Sequence, residues 1–331
     1  NGTEMLNGQN LKGYYLPLGA TNIMTTGHEY DDAFVVWDWT RVPGTTAVAN
    51  QSTADLRWYL FGSNQFGGGV SNAHNGVMAY EHAYQGVEAR KAYFFMGDAM
   101  VCMGSGIKAA RTQEVRTSVN QCLANGEVTY GLSGHTYRLT NNLSDKNIDW
   151  AYHDNVGYIF PQNESVTLRK AKQTGAWREL EVTASDKPVT KEIFSLWVSH
   201  GTTPQHEDYC YIIMPDKPLS YFTDKKFENE IKIIVNSEQI QAISNENKRQ
   251  YAAVFYEPGE IRFAEDLVVA VNKKVIIYIE KKDKQYEIAV ADPLYKEQSL
   301  QLSMNGEQIN IVFPSGDYSG SSVIKHITEK H

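Results

Sequence analysis

Lys91 to Met103 reads KAYFFMGDAMVCM, two apolar runs on either side of Gly97-Asp98. Runs this short, rich in aromatic side chains and broken by a turn dipeptide, predict a β-hairpin; a helix needs apolar residues at 3.6 spacing over a longer stretch. The same reading extends outward to Glu127–Gly131, Ala151–Phe160, Ser165–Arg169, Glu192–His200 and Tyr209–Met214, separated by Asn, Asp, Gly and Pro clusters. Val268–Glu280 and Gln285–Asp292 read as successive strands, and Ser299–Phe313 as a pair around Asn305-Gly306. The best short helix candidate is Val77–Ala89, although Tyr80, His82 and Tyr84 alternate as a strand would. Many short strands between turn signals predict an all-β chain of packed sandwiches rather than βαβ units.

The chain has 331 residues and 37.3 kDa, room for two domains of ordinary size. Pro215, Pro218 and Asp224-Lys225-Lys226 close the aromatic-rich part; beyond them Lys, Glu, Ile and Val dominate, and the last tryptophan is Trp197. We therefore expect a large antiparallel β-sandwich over residues 1–232 and a small one over 233–331. A formal charge of −8 argues against a broad grip on nucleic acid or on an anionic membrane. No apolar run approaches the roughly 20 residues of a spanning helix. Cys102, Cys122 and Cys210 lack CxxC spacing, which disfavours structural zinc and leaves one disulfide open. Four sequons begin at Asn1, Asn50, Asn142 and Asn163 and are compatible with secretion.

The chemistry-bearing motifs are sparse. There is no GxSxG elbow, Walker loop, HExxH or dinucleotide fingerprint. Gly67-Gly68-Gly69 has no Lys-Ser/Thr after it and reads as a turn or bulge. Tyr14-Tyr15, Trp37-Asp38-Trp39, Trp58-Tyr59 and Phe66 present two readings: flat platforms for sugar rings, or core of a large sandwich. His28 beside Glu29 and His153 beside Asp154 read as turn or core residues before they read as general bases. No carboxylate pair for glycoside hydrolysis stands out among the acidic residues.

Longer strings carry more. Glu4-Met-Leu-Asn7 through Gly13-Tyr14-Tyr15, Gly19-Ala-Thr-Asn-Ile, and Val36-Trp37-Asp38-Trp39 through Pro43-Gly44-Thr45-Thr46 resemble the start of the central domain of polysaccharide lyase family 8. Chondroitin AC, hyaluronate and xanthan lyases belong to that family. The similarity continues in order through Asn64–Ser71, Lys91–Phe95, Val101–Ile107, Thr117–Gln121, Trp150–Phe160 and Leu196–Gly201.

The resemblance implies an antiparallel β-supersandwich followed by a small C-terminal β-sandwich, preceded in the family by an α/α toroid. It implies β-elimination on uronic-acid polysaccharides such as chondroitin or hyaluronan. The C5 proton is weakly acidic, so the developing aci-carboxylate needs stabilising beside a well-placed base. In the family the Asn, His, Tyr and Arg that do this lie in the helical domain. The central domain adds a glutamate and an asparagine at its start, which Glu4 and Asn7 match as supporting residues. Expected partners are an acidic polysaccharide and the helical domain of the same polypeptide, with no nucleic acid, no membrane and no cofactor. Some relatives bind calcium at the Trp-acid-Trp string. Here Asp38 is kept but Thr40, Ala49 and Asn50 replace further oxygen ligands, so no metal is expected. The abrupt start at Asn1 is read as a piece of a longer, secreted or periplasmic enzyme, inactive alone. A non-catalytic carbohydrate-binding or scaffold protein is the alternative.

Overall fold

The computed structural model describes residues 2–4 and 59–61 as backbone alone, and residues 7–49, 64–110, 112–162 and 164–328 in full. In chain order the strands are β1 Gly2–Glu4, β2 Thr46–Val48, β3 Tyr59–Phe61, β4 Gly67–Ser71, β5 Gly76–Tyr84, β6 Val87–Met96, β7 Ala99–Ala109 and β8 Glu114–Leu123. They continue as β9 Val128–Leu132, β10 His135–Arg138, β11 Leu143–Lys146, β12 Trp150–His153, β13 Val156–Ile159, β14 Val166–Gly175, β15 Val189–Thr202 and β16 Glu207–Pro215. After helix α1, Leu219–Thr223, come β17 Lys232–Asn236, β18 Ile240–Asn245, β19 Gln250–Phe255, β20 Gly259–Ala264 and β21 Leu267–Val271. The last five are β22 Val275–Lys282, β23 Gln285–Ala291, β24 Ser299–Met304, β25 Glu307–Val312 and β26 Val323–Thr328. The chain is all-β, as its patterning predicts. Among the described residues no helix is long and apolar enough to cross a membrane.

Several expectations need correction. Val77–Ala89 is not helical: its alternation wins, and it forms most of β5 and the start of β6 around Gln85-Gly86. Ala151–Phe160 is a hairpin, because Asp154 and Asn155 take positive φ between β12 and β13. Val268–Glu280 splits into β21 and β22, which lie in different sheets. The glycine run is neither turn nor bulge but strand β4, paired from Gly67↔Tyr80 to Ser71↔Gly76.

The chain forms two compact units, residues 1–63, 83–88 and 108–223, and residues 64–82, 89–107 and 224–331. In the first, one row of strands runs β10-β9-β12-β13-β16 and another β11-β14-β15-β8-β2. Along β15 the period of two sends Phe194, Leu196 and Val198 into the core and Ser195 and Trp197 to the other face. That second face is also covered. Gln173 Nε2 donates to Val36 O at 2.8 Å, and a Cβ on Gly175 would meet Val35 O at 2.0 Å. Glycine at 175 thus lets residues 34–41 lie directly on the strands.

The second unit includes most of β4 to β7, arranged β7-β6-β5-β4. Its C-terminal strands make a six-stranded sheet, β17-β18-β19-β22-β23-β26, and a four-stranded sheet, β20-β21-β24-β25. One core draws on both: Phe255, Ile277 and Ile288 from the larger, Val269 and Leu302 from the smaller. Ile276 and Tyr278, on the opposite face of β22, are equally buried. Near that face Gly67 N donates to Pro293 O at 3.1 Å, and a Cβ on Gly68 would lie 3.3 Å from Pro293 Cα. The turn after β4 is pinned by Asn72, whose Nδ2 donates to Glu287 at 2.8 Å and Glu280 at 3.2 Å. Those carboxylates face each other in register, so the shared amide offsets a like-charge pair.

Candidate functional site

The segment carrying Glu4 and Asn7 is built by the backbone. β1 pairs antiparallel with β3, Glu4 opposite Tyr59. The Glu4 side chain lies outside the described residues, as do Asn50, Trp58 and the ring of Tyr59. Asn7 starts a tight turn: its Oδ1 accepts from Gln9 N at 2.9 Å, and its carbonyl accepts from Asn10 N at 3.1 Å. An Asx turn of this kind fixes the carboxamide. Asn10 then caps the next turn, accepting from Gly13 N at 2.8 Å. A Cβ at position 13 would fall 2.3 Å from that same Asn10 oxygen, so any larger residue there would push the cap aside.

Residues 8–12 dock on the segment after β14. Leu11 N donates to Leu180 O at 3.0 Å, Val182 N donates to Gly8 O at 2.8 Å, and Lys12 pairs with Glu179 at 2.6 Å. No motif marks residues 176–182, and their role in holding Asn7 is invisible in the sequence. Tyr14 and Tyr15 follow in a 3₁₀ turn, both buried, ring centroids 4.8 Å apart and edge to face. Tyr15 OH donates to Gln85 at 3.2 Å. Asn7 can therefore orient a neighbouring group but cannot remove a proton, because an amide does not titrate.

Of the aromatic strings, Tyr14, Tyr15, Trp37 and Phe66 are interior, at most 5% exposed. The core reading holds for them and the sugar-platform reading does not. Trp37 meets Phe34, Trp39 and Tyr30 edge to face at 4.7, 5.6 and 6.1 Å. Between the tryptophans, Asp38 is fully engaged: Oδ1 accepts from Thr40 N at 3.0 Å and Thr40 Oγ1 at 2.6 Å, and Oδ2 accepts from Arg41 Nε at 2.7 Å. These bonds and the Arg41 charge hold its carboxyl below the usual range despite burial. Arg41 in turn stacks 4.5 Å from the Trp197 ring. Both residues sit in strings that carry the resemblance, yet their pairing is a property of the fold alone. Among the described residues no group of three or more His, Cys, Asp or Glu is placed to hold a metal ion.

The histidines divide as their neighbours dictate. His28 is exposed and pairs with Asp31 at 2.8 Å, which raises its pKa. Glu29 beside it is buried, and five bonds from residues 25–27 hold its carboxyl at about 2. His153 is buried and stacks on Phe194 at 4.3 Å; burial and Lys170 pull it down to about 4. His28 and its carboxylate partner lie on the open surface, and His153, with Nδ1 3.9 Å from Cys122 Sγ, is shut in the interior, so neither pair faces a site where a substrate proton could be removed. Cys102, Cys122 and Cys210 are buried and none is in a disulfide, so the bridge left open by the sequence does not form.

Comparison with known proteins matches residues 1–226 to the polysaccharide lyase family 8 super-sandwich domain and residues 232–301 to the family's C-terminal β-sandwich domain. Chondroitinase-AC of Pedobacter heparinus is 32% identical over 334 residues, covering 97% of this chain and 47% of that protein. A hyaluronate lyase of Staphylococcus aureus is 26% identical, covering 88% of this chain and 36% of its own. Among solved structures, a chondroitinase AC lyase studied with oligosaccharides superposes with a TM-score of 0.91 at 30% identity, over 97% of this chain and 49% of that one. A Paenibacillus xanthan lyase shares the fold, with a TM-score of 0.87 at 20% identity over 99% of this chain and 34% of its own. The chain thus spans about half, or less, of the relatives it matches. With both domain models matched in order along it, the chain belongs to polysaccharide lyase family 8.

Proposed function

We propose that this chain is the β-sandwich part of a secreted or periplasmic lyase that cleaves uronic-acid glycosaminoglycans, chondroitin or hyaluronan, by β-elimination. The observation that carries the reading is the 32% identity to a chondroitinase-AC along 97% of the chain. The division of labour follows from chemistry. Elimination needs a base at C5, a donor for the leaving oxygen, and charge to neutralise the uronate. In this reading a helical domain outside these residues supplies all three, and the domain boundary within them falls near residue 232. Glu4 and Asn7 act behind those groups. A net charge of −8 suits a half that does not itself hold the polyanion.

The test is the ultraviolet absorbance of unsaturated uronate. The 331-residue chain fed chondroitin or hyaluronan is expected to give no rise, and the longer protein a steady one. In the longer protein Asn7→Ala and Glu4→Ala should lower turnover with folding unchanged. Undiminished turnover in both variants would remove these residues from the site.

A further inference from the structure

The outer face of the five-stranded sheet gathers positive charge. In register, Arg169 stands opposite Ser195, which stands opposite Gln121; Thr167 opposes Trp197, which opposes Ser118; and Ser199 opposes Arg116. Cross-strand neighbours lie about 5 Å apart at Cβ, so these side chains share one patch. Residues 38–41 lie on it, held by Gln121, whose Oε1 accepts from Asp38 N and whose Nε2 donates to Asp38 O and Arg41 O at 2.9–3.1 Å. The guanidiniums of Arg41 and Arg116 lie 4.5 and 5.1 Å from the Trp197 ring. Arg41 also feels the charges of both Arg116 and Arg169.

Two carboxylates answer these three cations. Asp38 binds Arg41; Glu114 binds Arg116 Nε at 2.8 Å and accepts from Ser199 as well. Arg169 has no ion pair among the described residues, which leaves one positive charge in surplus. Three buried polar atoms on the patch also lack a protein partner among the described residues: Arg169 Nε, Ser195 Oγ and Ser118 Oγ. Ser195 and Ser118 are 1% and 2% exposed. Each of these groups can donate a hydrogen bond. Buried donors without acceptors beside surplus positive charge describe the environment of an anion. The two serines are the smallest side chains in rows otherwise carrying Arg, Thr, Gln and Trp, which favours a compact ion over a larger one.

We propose that this patch binds a small monovalent inorganic anion, of the halide class, between Arg169, Ser195 and Ser118, and that the ion fastens residues 38–41 to the sheet. The site does not depend on the lyase reading. The test is thermal unfolding of the 331-residue chain at constant ionic strength in sodium gluconate, chloride and bromide. A site tenfold saturated should raise the midpoint by about 2–4 °C in either halide over gluconate. General salt exclusion gives no such preference for the halides. Arg169→Gln should abolish the difference. Equal midpoints in the three salts, or a halide gain kept in Arg169→Gln, would overturn the proposal. Should the variant not fold, bromide-grown crystals of the wild-type chain decide it. An anomalous peak in contact with Arg169 Nε and Ser195 Oγ is expected, and a water at that position would refute the site.

Discussion

The core shared by the two C-terminal sheets and the interior of the first unit are buried to the same depth with opposite chemistry. Val269, Ile277, Ile288 and Leu302 are wholly buried and surrounded by other apolar side chains. In the first unit the interior is threaded with polar groups. Ile23 N donates to Tyr30 OH at 3.0 Å, Tyr30 OH to Asn120 Oδ1 at 2.9 Å, and Asn120 Nδ2 to Tyr158 OH at 2.6 Å. His153 and Glu164 are buried alongside. An apolar core stabilises by area removed from water and tolerates redistribution of shape. A bonded polar interior adds little net stability per bond but fixes which strand and loop meet, and it makes that half sensitive to pH. The difference places adaptable bulk in the C-terminal sheets and geometric definition in the unit that holds Asn7.

Three substitutions separate these regimes. The largest effect belongs to the apolar core. Phe255→Ala, on a fully buried side chain, should cost about 4 kcal/mol, with no dependence on pH between 5 and 8, as read by denaturant unfolding. A pH-dependent loss of that size would mean the core is not apolar throughout.

Next comes Glu164, 7% exposed, whose Oε1 accepts from Cys210 N at 3.0 Å. Burial, with Asp208 adding to it, pushes its carboxyl from an ordinary 4.5 up to about 7. At low pH both folded and unfolded forms carry the proton and nothing is lost. As pH rises from 4.5 to 7 the unfolded chain releases its proton first, so stability falls and then levels off. At pH 8 the penalty is about 3 kcal/mol. Glu164→Gln should recover most of it at pH 8 and gain nothing at pH 4. An equal gain at both values would show that ionisation is not the cause. Asn120→Ala follows, at about 2 kcal/mol, because Tyr30 and Tyr158 lose a shared buried partner. A loss near zero would show that the network carries no definition.

The apolar half was the more legible one. The strand pair at Ser299–Phe313 and the turn at Asn305-Gly306 follow from alternation and turn chemistry, and the structure keeps both. Legibility fails where tertiary approach decides. Gly67 to Gly69 carry turn composition but serve as strand, because Pro293 comes within contact of Gly68. No spacing rule shows where Asp38 is spent: its oxygens go to Thr40 and Arg41, whose guanidinium in turn stacks on Trp197. At the candidate site the Asx turn at Asn7 is a local matter, whereas its docking on Leu180 and Val182 joins segments that no spacing rule connects. The aromatic strings left two readings open for a similar reason: composition does not distinguish a platform from a core, and burial decides for Tyr14, Tyr15, Trp37 and Phe66.

On the function proposed above, the proton-transferring groups of the lyase lie outside these 331 residues. The most direct measurement is the release of unsaturated uronate from chondroitin and hyaluronan by the purified 331-residue chain, set beside the longer protein under identical conditions. No release is expected from the chain, and sustained release from the longer protein. Sustained release by the chain alone would contradict this, because a base and an acid would then have to be found among these residues.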